Sequence, residues 1–290
     1  MNYRHGFHAG NHADVLKHVV LLALCDALVA KPAPCFALDT HAGRGRYKLD
    51  AEAAKRTGEA EGGIGRLRAA RAPAIARYLA AIDACRAAHG ANSYPGSPWL
   101  LANALREQDR LVCCEIQPDE FAWLKTNFLD RTPEQHTEVT VQQRDGYAAM
   151  KALLPPRGGD GTRIARGLVL IDPPYESQME EFDTALAALR DAIARWPQAT
   201  YVLWYPIKVR RALHAFHRAA GLLPAKSALI AELRVRDEDS PLRMNGSGLL
   251  VLNPPWKLDA ALKPALHELA DALGEEGRGG WRVEWLREPA

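Results

Sequence analysis

The sequence predicts an α/β protein, an open and mostly parallel sheet with helices on its faces and one helical insertion near the amino end. Three observations predict it. Short apolar runs stop abruptly at an acid, at Cys35 to Asp39, Leu111 to Glu115 and Leu168 to Asp172. That is the pattern of buried parallel strands ending at the carboxyl edge of a sheet, where open α/β proteins place their chemistry. Segments with apolar residues at helical spacing alternate with these runs. Finally, a glycine turn after the first strand is normally followed by a partner acid about 20 residues on. Here the gap from Gly43 to Glu115 is far longer, so an insertion separates them.

A chain of 290 residues, 48% hydrophobic and 25% charged, is ordinary for a globular protein and long enough for one sizeable domain. Runs such as Val19 to Ala23 and Leu249 to Leu252 are too short to span a bilayer. Met1 to His5 lacks the apolar core of a signal peptide, so a cytoplasmic protein without membrane contact is expected. Cys25, Cys35, Cys85, Cys113 and Cys114 form no C-x-x-C pair and read as reduced core thiols. A net charge of +2 neither demands nor excludes nucleic acid, because local clusters decide that question.

Half of the ten histidines, His5, His8, His12, His18 and His41, fall in the first 41 residues. Asn11 reads as the cap of a helix that starts after it, so His8 and His12 do not share a helical face and no metal site is expected. From His12 to Leu28 the residues Val15, Leu16, Val19, Val20, Leu22 and Ala23 recur at helical spacing. Lys17 and His18 lie toward the polar edge of that helix, which makes His18 a boundary residue on spacing alone.

The first strand, Cys35 to Asp39, runs into Gly43-x-Gly45, a turn whose missing side chains let backbone approach a ligand and leave N–H groups free. Strand, acid and glycine pair in this order suggest a nucleoside-bearing cofactor. Residues 48–96 then break the strand–helix rhythm with a helical insertion, in which Ile75, Tyr78, Leu79 and Ile82 line one face of a helix over Ala74 to His89. Arg44 to Arg77 carries nine Lys/Arg against four Asp/Glu. That segment is either a footprint on a polyanion or a solvated, charge-rich surface.

Tyr94-Pro-Gly-Ser-Pro98 is a rigid turn that ends the insertion, and a helix from Trp99 to Arg106 returns the chain to the sheet. Leu111 to Glu115 is the second strand, and an acid at its end can hold ribose hydroxyls through two acceptors. Val139 to Gln143 is the third, closed by Asp145-Gly146, which suits a cofactor pocket or a helix cap equally. Leu168 to Ile171 is the fourth. A helix over Glu180 to Trp196, a strand over Thr200 to Pro206 and a basic helix over Val209 to Ala220 follow, with Lys208, Arg210, Arg211 and Arg218 and no acid among them. Leu229 to Val235 and Gly248 to Leu252 complete the sheet, and Gly274 to Gly280 reads as an exposed loop.

The fourth strand ends in Asp172-Pro-Pro-Tyr175. Two prolines fix φ and remove donors, so a carboxylate, free carbonyls and a flat ring are held on one stiff loop. Methyl transfer to the exocyclic amine of adenine needs these groups. The amine lone pair is conjugated into the ring, and acceptors on its two hydrogens, the Asp172 carboxylate and the Pro173 carbonyl, favour a pyramidal nitrogen. Asp172 can take the proton during or after transfer. Tyr175 would stack on the base, worth roughly 1–3 kcal/mol. Asn253-Pro-Pro-Trp256 is a near-copy, but it follows the last strand, at the far edge from the glycine turn. Asp172 is the expected reaction centre and Asn253 a structural turn.

Asp172-Pro-Pro-Tyr175 with Asp39-x-x-x-Gly43-x-Gly45 resembles the S-adenosylmethionine-dependent amino-methyltransferases. More closely, His5 to His18, Leu38 to Gly43, Tyr94 to Pro98, Leu170 to Glu176, Trp204 to Pro206 and Asn253 to Lys257 are similar to the RlmJ family, along almost the whole chain. The resemblance implies a Rossmann-like S-adenosylmethionine-dependent methyltransferase fold with a small helical insertion. It divides the chain into an arm, helix and first strand (1–47), the insertion (48–96) and the remainder of the methyltransferase domain (97–290). It implies N6 methylation of one adenosine in 23S ribosomal RNA by a monomer, with Asp172 as proton acceptor. It also implies that His18, His41, Gly43, Ser97, Glu115, Asp145 and Gly146 meet the cofactor and that Tyr3 meets the RNA. The same loop chemistry would serve a DNA adenine or protein glutamine methyltransferase, and a non-catalytic RNA-binding protein could keep the fold.

Overall fold

The computed structural model describes residues 5–129, 137–175, 177–237, 240 and 244–289. Tyr3, assigned to the RNA, and Glu176 of the Pro-Pro loop lie outside them. The chain opens with α1 (His12–Val29), which starts where the Asn11 side chain accepts from the N–H groups of Ala13 and Asp14. There follow β1 (Cys35–Asp39), β2 (Arg46–Lys48), α2 (Glu52–Thr57), α3 (Glu59–Gly62), α4 (Pro73–His89), β3 (Ser93–Pro95) and α5 (Ser97–Ala104). Next come β4 (Arg110–Glu115), α6 (Pro118–Leu129), β5 (Glu138–Gln143), α7 (Gly146–Leu153), β6 (Arg166–Ile171), α8 (Gln178–Arg195) and β7 (Thr200–Ile207). The chain closes with α9 (Leu213–Gly221), β8 (Ala228–Arg234), β9 (Gly246–Leu252), α10 (Leu258–Leu273) and β10 (Gly280–Arg287).

Eight strands form one sheet in the order β10-β8-β9-β7-β6-β1-β4-β5. The five from β7 to β5 are parallel, while β9, β8 and β10 continue the sheet antiparallel. Strand residues alternate between two cores, as a pleat requires. Cys35 and Ala37 of β1 pack toward α1, α4, α5 and α10, whereas Phe36 and Leu38 pack toward α7, α8 and α9. The carboxyl ends of the five parallel strands therefore gather at one edge between the two helical layers. The long β8–β9 connection lies at the same edge, because Gly246 at the start of β9 pairs with Ile207 at the end of β7.

Several expectations need correction. α1 has no polar edge: Lys17 is 5% and His18 1% exposed. The reason is the insertion, whose α4 packs on α1 and sends Ile75, Tyr78 and Ile82 into the same core. A helix covered on every side loses its amphipathic reading. The stretch Ser93–Pro95 pairs with Arg46–Lys48 as a two-stranded ribbon, where the sequence suggested only a turn. The basic segment after β7 begins as a 3-10 turn, Arg210–Ala212, before α9. β9 does not complete the sheet, since Gly280, taken as the end of a loop, starts β10 on the β8 edge. Finally, β9 is not at an edge but between β7 and β8, and it runs antiparallel to β7 with Leu252 opposite Tyr201. Asn253 is thus at the opposite end of the sheet from Asp172, a stronger reason to treat it as a turn than the one the sequence offered.

Candidate active site

A cleft of about 370 Å³ opens at the carboxyl edge. Every expected site residue among the described ones lines it: His18, His41, Gly43, Ser97, Glu115, Asp145, Gly146, Asp172, Pro173 and Tyr175. They come from α1, the loops after β1, β4, β5 and β6, and the start of α5. Asp39 lies beneath, fully buried, and neither carboxylate oxygen makes a well-formed hydrogen bond among the described residues. Burial pushes the Asp39 carboxyl up to about 7, with the Ser97 hydroxyl pulling the other way and the Asp172 charge adding to the rise.

The glycines are fixed by conformation and close approach. Gly43 has φ 57°, and a Cβ there would fall 2.3 Å from the Tyr47 hydroxyl. A Cβ on Gly146 would meet the Thr40 carbonyl oxygen at 2.3 Å, so this glycine lets α7 start against the end of β1. Asp145 is both things the sequence allowed, since its side chain accepts from the Ala148 N–H at 2.7 Å as a helix cap while lining the cleft. Glu115 accepts from the Gly43 N–H at 2.9 Å and from the Gln117 N–H at 2.8 Å, one on each oxygen. Burial raises its carboxyl above the usual range, and lone pairs remain on both oxygens for a ligand's hydroxyls.

His41 takes a hydrogen bond at 2.8 Å with the Thr40 hydroxyl, stands edge-on to Tyr147, and is pushed down to about 4 by burial. It is therefore a neutral ring. His18 Nδ1 lies 3.1 Å from the Tyr94 hydroxyl, on the ribbon strand that the insertion supplies. His8 is 3.0 Å from Glu59 on α3, and burial pushes His12 down to about 4. Among the described residues no three His, Cys, Asp or Glu side chains come together as a metal site.

The residue that sequence reasoning missed is Lys17. Its ammonium lies 2.6 Å from Asp172 Oδ2 and 2.9 Å from Asp14 Oδ1. Burial alone would lower it, but the Asp14 and Asp172 carboxylates hold it well above the ordinary lysine value, so it stays charged. The i,i+3 spacing of Asp14 and Lys17 was the available signal; the partner 155 positions away gave none. Tyr175 is set with equal care. Its hydroxyl donates to the Trp204 carbonyl at 2.7 Å, and its ring meets Phe182 and Trp204 at steep angles.

A second cavity of about 570 Å³ lies on the other side of Asp172. It shares Lys17, Asp172, Trp204 and Met244 with the cleft and is otherwise walled by the start of α1, by Thr57 to Gly62 of the insertion, and by Arg236 and Glu275, which form an ion pair. Asp172 thus stands at the junction of two chambers. Together they could hold a donor on one side and an acceptor on the other.

A five-strand parallel core, a glycine turn after β1 and acids after β4 and β5 define a Rossmann-like methyltransferase fold. Residues 32–287 match the family described as "Ribosomal RNA large subunit methyltransferase D, RlmJ", and the chain belongs to that family. It is 38% identical to "Ribosomal RNA large subunit methyltransferase J" of Haemophilus influenzae and 35% identical to the Escherichia coli protein of the same name, with 99% of each chain covered in both comparisons. A crystal structure from Legionella pneumophila superposes with a TM-score of 0.82 at 32% identity, covering 96% of this chain and 98% of that one. Membership in this family makes the chain a methyltransferase that uses a methyl donor.

Proposed function

We propose that the protein transfers a methyl group from S-adenosylmethionine to N6 of one adenosine in 23S ribosomal RNA. The observation that carries this reading is Asp172 at the junction of two chambers, on a proline-stiffened loop, with one carboxylate oxygen held by a buried lysine. The names of the relatives supply the RNA. Ribosomal RNA as substrate implies work in the cytoplasm, where the protein would act as a monomer.

The cleft suits the cofactor. Glu115 offers paired acceptors for vicinal hydroxyls, the neutral His41 ring and the His18 ring border the chamber, and Asp145 with Gly146 presents the start of α7. When bound, the cofactor supplies an electrophilic methyl group on a sulfonium. Ser97 and Gly43 complete the walls.

At the Asp172 end of the cleft, Lys17 fixes Asp172 Oδ2 and leaves Oδ1 for an amine hydrogen, while the Pro173 carbonyl accepts the second. Any carboxylate is too weak a base to deprotonate a neutral exocyclic amine. Asp172 therefore orients the amine and stabilises the positive charge that develops on nitrogen, and takes the proton only once the amine has become cationic. Tyr175, anchored on the Trp204 carbonyl, presents its ring to the flipped base. Tyr3 completes this reading as an RNA contact.

The test is label transfer from S-adenosylmethionine to unmodified 23S RNA, to duplex DNA and to release factor, offered separately. Label in RNA recovered as N6-methyladenosine is expected. Label only in DNA or only in protein would overturn the choice of substrate, and RNA binding without transfer to any of the three would leave a non-catalytic binding protein.

A further inference from the structure

The sequence offers two basic segments, and the structure treats them differently. In the segment Arg44 to Arg77, five of the nine cations are engaged within the protein. Arg44 pairs with Glu120, Arg46 with the Asn127 side chain, Lys48 with the His89 carbonyl and Ser93, Arg66 with the Leu273 carbonyl, and Arg77 with Asp26. Arg68 and Arg71 are exposed, but Glu268 of α10 holds the Arg71 N–H, which places this stretch along α10 and away from the cleft. The turn between β7 and α9 is the reverse. Between Asp191 and Glu232 the chain contains no acid, and Lys208 and Arg211 are exposed with no side-chain partner among the described residues.

Strand geometry relates this turn to the reaction centre. Trp204, Pro206 and Lys208 all line the cleft, the alternate residues of one strand face. Ile171 of β6 pairs with Leu203, so Asp172 is level with Trp204 and Lys208 stands four residues further out. At about 3.3 Å per residue that is roughly 13 Å, the scale of one nucleotide from base edge to flanking phosphates. Asn245, which lines up beside Met244 at the second chamber, donates from its side chain to the Lys208 carbonyl at 2.6 Å and fixes where the turn begins.

We propose that Lys208 and Arg211 form the phosphate clamp for the RNA strand that delivers the adenosine, and that Arg68 and Arg71 do not. This rests on the RNA reading above. The base enters beside Trp204, and the flanking phosphates lie against the rim that Lys208 and Arg211 make. The contact is electrostatic, so it positions the strand without reading its sequence.

The experiment compares Lys208→Ala/Arg211→Ala with Arg68→Ala/Arg71→Ala, using an unmodified 23S RNA transcript across a salt series. The rim variant should lower RNA affinity, reduce the log–log salt slope by about two, and raise KM for RNA by a larger factor than it lowers kcat. The insertion variant should behave as wild type. Wild-type affinity and slope in the rim variant, or losses confined to the insertion variant, would overturn the clamp while wild-type methylation of RNA keeps the activity intact. Ultraviolet crosslinking of the unaltered protein to the same RNA gives a second readout that needs no variant. Crosslinked peptides should include the 208–211 turn, and crosslinks found only in residues 48–96 would also overturn it. A wild-type protein that methylates no RNA would instead refute the underlying activity.

Discussion

Two loops of this chain have nearly the same sequence, Asp172-Pro-Pro-Tyr175 and Asn253-Pro-Pro-Trp256, and the fold gives them opposite surroundings. The first follows a parallel strand and opens onto two chambers. The second follows an antiparallel strand and lies at the other end of the sheet. Asn253 is fully used by the backbone around it. Its side chain accepts from the Lys226 N–H at 2.8 Å and donates to the Ala199 carbonyl at 2.8 Å and the Pro197 carbonyl at 3.2 Å, at a φ of 51°. Trp256 is 84% exposed, whereas the Tyr175 ring is packed and anchored. Around Asp172 charge is concentrated and incompletely satisfied, with a buried ammonium between two carboxylates and Asp39 beneath without a well-formed hydrogen bond among the described residues. A turn that serves only the fold satisfies its polar groups; a site that must act on a ligand holds some of them in reserve.

The sharpest test of the contrast is activity. Asp172→Ala should reduce methyl transfer by about 10³-fold or more with S-adenosylmethionine affinity retained. Asp172→Asn makes the two loops chemically alike; it keeps a carbonyl acceptor but loses the pairing with Lys17, and turnover should fall by about 10²-fold. Full activity in the Asn variant would show that an acceptor alone suffices. Lys17→Met comes next, because it leaves Asp14 and Asp172 as buried carboxylates without their cation. Stability should drop by about 3–5 kcal/mol, read by denaturant unfolding, and turnover should fall with it.

Asp39→Asn tests the unsatisfied end of the sheet from the stabilising side. A carboxyl raised by burial to about 7, from 3.8 in the unfolded chain, favours the folded state at low pH and loses that advantage as pH rises from about 4 through 7. The amide removes the loss. Thermal melts should show the variant more stable than wild type by about 4 kcal/mol at pH 8 and equal to it below pH 4. Asn253→Ala has the smallest expected effect on function. It forfeits three hydrogen bonds and puts Ala at positive φ, which costs about 2–3 kcal/mol, with kcat unchanged at permissive temperature. A loss of turnover without a loss of stability would break the comparison, since Asn253 would then be acting at the site.

Much of the site was legible because its signals are local. A strand that ends in an acid, a glycine pair that needs positive φ, and two prolines that stop a ladder are properties of a few consecutive residues. For that reason Glu115, Asp145 and Asp172 could be singled out at strand ends, and the cap at Asn11 was read in place. His18 shows the limit. Spacing made it a boundary residue and only the family resemblance moved it to the cofactor, because its burial depends on α4, which lies some 60 residues away in the chain. β10 was missed for a related reason: an edge strand with one half-exposed face lacks the apolar run that announced the buried ones.

What the sequence determined alone was the set of strand ends and the chemistry each could offer, since backbone stiffness and side-chain type are fixed by covalent structure and near neighbours. Only the tertiary structure decided which of two similar loops opens onto the chambers and which of two basic segments stands beside them. It also decided that Lys17 belongs to Asp172. Those outcomes depend on strand direction, on the insertion covering α1 and on a contact 155 residues apart, and long-range packing sets all three.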